Sequence, residues 1–175
     1  MGLDMYLDRS KVVDGIKIWE HNPEGVKRNN PTLYKILKKY EYTTGPSGYS
    51  WQSYSGGVGY WRKANHIHKW FVDNVQSGED DCGYYCVTKE DLISLLKTAR
   101  KVVDCFNEDG TVKRGKLKVV ESLLPTCSGF FFGNTEYNER YLSSVQDTIA
   151  IIEKALRGDE AIDWDDEVLV YNSSW

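Results

Sequence analysis

Hydrophobic residues recur along this chain with two periods, and the switches between them lay out its elements. Leu3, Met5 and Leu7 alternate with Asp4, Tyr6 and Asp8, the period of a strand buried on one face. Val12 to Trp19 resembles a hairpin turning at Asp14-Gly15. After a polar stretch from His21 to Pro31, Thr32 caps a short helix through Lys39, with Leu33, Ile36 and Leu37 on its apolar side. From Tyr60 to Gln76 the pattern is helical: Ala64, Ile67, Phe71 and Val75 form a stripe with Trp61 and Trp70 beside it. A turn at Asp80, Asp81 and Gly83 leads to a strand from Tyr84 to Val87. Thr88 to Asp91 forms a capping box, aspartate standing in for glutamate, and opens a helix to about Phe106. That helix buries Leu92, Leu95, Leu96, Ala99 and Val103, and a shorter one from about Gly115 to Leu124 stops at Pro125.

Ser128–Gly133 is an apolar run too short for a helix and bracketed by glycines, which predicts a buried strand. Asn134 and Thr135 then cap a long helix whose core side carries Tyr141, Val145, Ile149, Ile152 and Leu156, and a last strand spans Val168 to Tyr171. Strands and helices do not alternate strictly enough for a doubly wound sheet. The expected fold is α+β: one domain over 1–175 with a small mixed or antiparallel sheet and helices packed mainly on one face. A chain of 175 residues buries a core without disulfides or a structural metal. Residues 42–59, rich in Gly and Ser, discourage regular structure. Tyr49, Trp51 and Tyr54 within them are also the chemistry of an adaptable binding loop, so a lid and a plain loop both fit.

Composition narrows the function. Hydrophobic residues at 41% and charged residues at 27% describe a globular chain. Aromatic residues reach 13%, with 12 Tyr and 6 Trp, an excess that points to flat surfaces on which a ligand stacks. The net charge of −4 argues against long nucleic acid, since the basic stretches at 35–39 and 113–118 are local; a small anion stays compatible. No apolar run is long enough to span a membrane, the start lacks a signal-peptide pattern, and Tyr6 spoils a myristoylation motif at Gly2. A cytoplasmic protein is expected. Cys82, Cys86, Cys105 and Cys127 form no C-x-x-C pair and are expected as buried thiols.

Two polar–aromatic clusters are candidates for chemistry. In Tyr60-Trp61-Arg62-Lys63-Ala64-Asn65-His66-Ile67-His68, a helix would put Trp61, Asn65 and His68 on one side, with Arg62 and Lys69 flanking to meet phosphate. His66 and His68 point about 200° apart on a helix, so they share no metal there. The alternative is a half-exposed helix with a buried tryptophan edge. In the second cluster, 125–137, a strand ending at Gly133 and a helix opening at Asn134 would aim free N–H groups at an anion. Ordinary capping over a phenylalanine-filled core accounts for the same residues. A catalytic reading pairs Cys127 as nucleophile with His68 as base, and Asp80-Asp81 as a cation site; no nucleophile elbow, H-E-x-x-H or P-loop supports it.

The strings MGLDMYL, GYWRKANHIHKWFVDNVQ (59–76), DDCGYYCV (80–87) and LLPTCSGFFFGNTEYNERYL (123–142) resemble a family of small, mostly uncharacterised proteins of tailed bacteriophages. They cover under half of the chain, and 8–58 has no counterpart. The resemblance implies a phage or prophage origin and expression in the cytoplasm of a bacterial host, but brings no catalytic residues. Small phage proteins of this kind include sponges that sequester immune signals such as cyclic ADP-ribose species or cyclic dinucleotides.

The expectation is therefore an oligomeric counter-defence protein that binds a nucleotide-like ligand without cofactor or metal. Its walls would be Tyr60, Trp61, Arg62, Asn65 and His68 on one side and Ser128, Phe132, Asn134, Thr135 and Tyr137 on the other. The alternatives are an enzyme that cleaves or modifies such a nucleotide, using His68 with or without Cys127, and a protein that blocks a host enzyme through 42–59 and the acidic segment at 159–167.

Overall fold

Alternating apolar residues at the start of the chain make the central strand of a sheet. In the computed structural model, which describes residues 2–13, 16–17, 27–28, 31, 35, 41–45, 48–52 and 57–175, strand β1 runs from Asp4 to Val13. Its end pairs with β2 (Ile16–Lys17), Val13 opposite Ile16, as the hairpin reading expects, although Asp14 and Gly15 lie outside the described residues. The helix expected at 32–39 also lies almost wholly outside them.

Residues 42–59 are not a structureless loop. Strands β3 (Glu41–Gly45) and β4 (Gly48–Gln52) pair as an antiparallel hairpin, Glu41 opposite Gln52 and Gly45 opposite Gly48. Threonine, tyrosine and tryptophan favour strands and here outweigh the glycines, of which Gly45 and Gly48 form the last pair of the hairpin. Strand β5 (Gly57–Arg62) follows, then helix α1 (Asn65–Asn74), β6 (Tyr85–Val87), α2 (Lys89–Val103), α3 (Leu117–Leu123), α4 (Glu139–Leu156) and β7 (Glu167–Ser174).

The main sheet is antiparallel and open, in the order β5-β1-β7-β6, with β2 beside the far end of β1. Register is unambiguous: Met5 faces Trp61 on one side and Ser173 on the other, while Leu7 faces Gly59 and Tyr171. A register shift after Leu7 accommodates an extra residue in β5. Leu3, Met5, Leu7, Trp61, Leu169 and Tyr171 thus share a buried face. On the opposite face Tyr6 and Tyr60 are exposed, their ring centroids 5.4 Å apart. This is the expected α+β arrangement.

Helices cover the buried face. Phe71 of α1 stacks on Tyr171 at 4.0 Å between centroids. Helix α2, which buries Leu92, Leu95, Leu96 and Ala99, packs against α4, which buries Tyr141, Val145 and Ile152. The capping box opening α2 is complete: Thr88 Oγ1 accepts from Asp91 N–H, and Asp91 Oδ2 accepts from Thr88 N–H. Helix α4 runs along β5 so closely that a side chain at Gly59 would come within 2.7 Å of Ile151. Among the described residues, no helix is long and apolar enough to cross a membrane.

Candidate functional site

The first correction concerns residues 60–62, which are strand rather than helix. Met5 of β1 offers Trp61 a ladder of hydrogen bonds, and the alternation Tyr60-out, Trp61-in, Arg62-out satisfies a half-buried sheet. Trp61 therefore packs in the core, where its Nε1–H donates to Thr148 Oγ1 at 2.9 Å. Tyr60 lies on the outer face and donates its phenol to Asp4. Neither ring is a wall of a shared pocket with His68. Lys63, at φ 56°, ends the strand in the left-handed region, and α1 begins two residues on.

The second correction concerns the Phe-rich segment. Ser128–Gly133 forms no strand; it turns, with Phe130 93% exposed and Phe132 buried. The reason is Asn65, 1% exposed at the start of α1. Its Nδ2 donates to Phe132 O at 3.0 Å and to Asn134 O at 2.8 Å, while its Oδ1 accepts from Cys127 N–H at 3.1 Å. One side chain thus supplies hydrogen bonds that a neighbouring strand would have made. Nor do Asn134 and Thr135 cap the long helix. Asn138 does, its Oδ1 accepting from the N–H groups of Arg140 and Tyr141. Thr135 is exposed and its carbonyl accepts from Thr126; Tyr137 is half-buried and its phenolic oxygen accepts from Thr126 N–H; Ser128 is exposed.

The two clusters do meet, because Asn65 ties them. Between the Arg62-Lys63 corner, the start of α1, residues 133–136 and the first turns of α4 lies a cleft of about 250 Å³. Arg62 and Asn134 line it, as expected from the sequence; Trp61, Asn65, His68 and Phe132 sit behind it as structure. Sequence reasoning missed Lys63, His66, Glu136, Arg140 and Ser144. The adjacent Arg62-Lys63 pair and the i, i+4 spacing of Arg140 and Ser144 were the available signals.

Charge in the cleft is lopsided. Arg62, Lys63 and Arg140 face a single carboxylate, Glu136, whose Oε2 accepts from the Asn138 amide. Asp4 lies 4.0 Å from Arg62 Nε and also accepts the Tyr60 phenol. Behind the cations His66 is 4% exposed, its ring 4.1 Å from that of Tyr141. Burial drives its imidazole from the usual 6.5 down to about 3, so it stays neutral. Ser144 donates its hydroxyl to Tyr141 O, so His66 Nε2–H donates to Ser144 Oγ, each at 2.8 Å. A wider hollow between 109–117 and 136–139 sets Lys113 and Arg114 against Asp109, Glu136 and Glu139 and has no such excess.

The residues of the catalytic reading are otherwise engaged. Burial raises the Cys127 thiol, which donates to Asn65 O at 3.3 Å. His68, 1% exposed, bonds Tyr171 Oη through Nδ1 at 2.8 Å and Asp80 Oδ2 through Nε2 at 3.0 Å. Burial, then the charge of Asp80, holds the Tyr171 phenol far above its ordinary range, so it stays protonated beside His68. The other Asp80 oxygen accepts from Trp175 Nε1–H at 3.0 Å. Asp81 accepts from Gly83 N–H and from the Tyr85 phenol. Among the described residues, no group of three or more His, Cys, Asp or Glu is placed to hold a metal ion.

Fold and site together define an α+β protein with a small cationic cleft beside its sheet. No family model, curated protein or solved structure matches the chain.

Proposed function

We propose that this chain sequesters a small, phosphorylated, nucleotide-derived molecule, gripping its anionic part in the cleft bounded by Arg62, Lys63 and Arg140. The observation that carries the reading is the excess of cations, Arg62, Lys63 and Arg140 against Glu136 in the lining and Asp4 beside Arg62, in a concave site of about 250 Å³. Such an excess draws anions and repels cations whatever the rest of the ligand is. The resemblance of the strings around this cleft to bacteriophage proteins supports a counter-defence setting. The same reading has the protein act in the cytoplasm of a bacterial host, as an oligomer.

Sequestration is favoured over turnover by the state of the candidate groups. His68, the base of that alternative, is buried with both ring nitrogens bonded, to Tyr171 and Asp80. His66 at the cleft, which holds its proton only near pH 3, is a feeble base at pH 7. A Cys127 thiol raised by burial is a poor source of thiolate. The test is mass spectrometry of small molecules released by heating the purified protein after incubation with a panel of nucleotide messengers. An intact nucleotide is expected. A converted product would replace the sponge with an enzyme. An empty protein that instead holds a host polypeptide in pull-down would replace it with a protein inhibitor.

A further inference from the structure

Resting on that reading, we infer that the group entering the cleft is a terminal phosphate monoester, with the remainder of the ligand outside. Of the three cations, Arg62 lies 4.0 Å from the Asp4 carboxylate, while Lys63 and Arg140 make no ion pair among the described residues; these two are the charges that a dianion would meet. Each phosphate of a cyclic diester carries one negative charge and has no free end to enter.

Size and lining agree. A volume of about 250 Å³ is below the roughly 300–1,000 Å³ of sites that enclose drug-sized ligands. It therefore holds the phosphate end rather than a whole nucleotide. The two rings that line the cleft, His66 and Tyr141, pack on each other at 4.1 Å between centroids, and Tyr141 also packs against Tyr137 and Phe106 at 5.0 and 5.9 Å. A base finds no free ring face there.

Lys63 carries the inference furthest. Its φ of 56° is the left-handed conformation that glycine adopts without cost and side-chain-bearing residues avoid. Its backbone role, an N–H bond to Leu3 O at 2.8 Å, needs no lysine. Among the described residues its ammonium makes no ion pair. The side chain is nevertheless confined. A Cβ at Gly133 would lie 3.1 Å from Lys63 Cβ, and one at Gly2 would lie 3.3 Å from Lys63 Cε. Its stem packs beside Gly2 and Gly133, but its charge has no ion-pair partner among the described residues, and strain kept at such a residue is a sign of function.

The test is isothermal titration of the full chain with inorganic phosphate, adenosine 5′-monophosphate and adenosine 3′,5′-cyclic monophosphate, repeated on Lys63→Gly and Arg140→Gln. The 5′-monophosphate and inorganic phosphate are expected to bind, and the cyclic ester to bind at least about tenfold more weakly. Each variant is expected to weaken phosphate binding about tenfold or more, while Lys63→Gly raises the thermal midpoint because the strain is relieved. Silence with both 5′-monophosphate and inorganic phosphate, equal binding of the cyclic ester, unchanged affinity in Lys63→Gly, or a lowered midpoint in that variant would overturn the inference. Release of an intact cyclic diester on heating would overturn it while leaving sequestration standing. Release of no nucleotide, with no phosphate bound, would remove both.

Discussion

His66 makes the stability of this fold depend on pH in a way that can be worked out in advance. Its imidazole, at about 3 in the folded chain against 6.5 when exposed, binds fewer protons folded than unfolded everywhere between those values. The stability that goes with the neutral ring is complete above pH 6.5 and is lost progressively as pH falls toward 3. One pKa unit corresponds to about 1.4 kcal/mol, so the 1.5 units from 6.5 down to pH 5 cost about 2 kcal/mol. Replacing the ring by a neutral side chain that still donates to Ser144, His66→Gln, removes the titrating group and keeps its bond. Urea unfolding followed by tryptophan fluorescence at pH 7.5 and pH 5 measures the difference. Wild type should lose about 2 kcal/mol more than the variant between these pH values, about 1 M in urea midpoint. Asp8, whose carboxyl is raised by burial, and the other titrating groups are present in both proteins and drop out of the comparison. Parallel loss in the two proteins, within about 0.5 kcal/mol, would show that His66 is protonated without penalty and that the account of its burial is wrong.

Two further substitutions separate structure from binding. Asn65→Asp keeps the size of the side chain but cannot donate to Phe132 O and Asn134 O, and it puts a carboxylate at a buried position. It should cost about 3 kcal/mol or more in urea unfolding, and a loss under about 1 kcal/mol would remove Asn65 as the tie between the clusters. Tyr171→Phe leaves the Nδ1 of His68 without its partner and should lower stability by about 1–3 kcal/mol. An unchanged thermal midpoint in Tyr171→Phe would show that the Tyr171–His68–Asp80 chain holds nothing together.

What could be read from the sequence was decided locally. The alternation from Leu3 to Leu7 specified a strand and its buried face, since only a two-residue period puts those side chains on one side. Thr88 and Asp91 marked the start of α2, because a cap is built from neighbours in the chain. The stripe through Tyr141, Val145 and Ile152 marked α4 for the same reason.

The tertiary structure decided everything that needed a distant partner. Trp61 read as part of a helical stripe, and the ladder with Met5, 56 residues away, made it a strand residue instead. The run from Ser128 to Gly133 had the composition of a strand, but its Phe132 carbonyl met the Asn65 side chain and its Phe131 carbonyl the single N–H of Leu3, with no strand ladder formed. Asn134 and Thr135 read as the caps from sequence, but it is Asn138 that stands where the helix begins. The site divided along the same line. Arg62 and Asn134 were legible as polar residues beside glycine and aromatic rings. The choice of His66 over His68 for the cleft depended on which side of α1 turned toward β7 and which toward α4. Local periodicity gives each residue a face of its element. Only packing of the elements assigns that face to core, to cleft or to solvent.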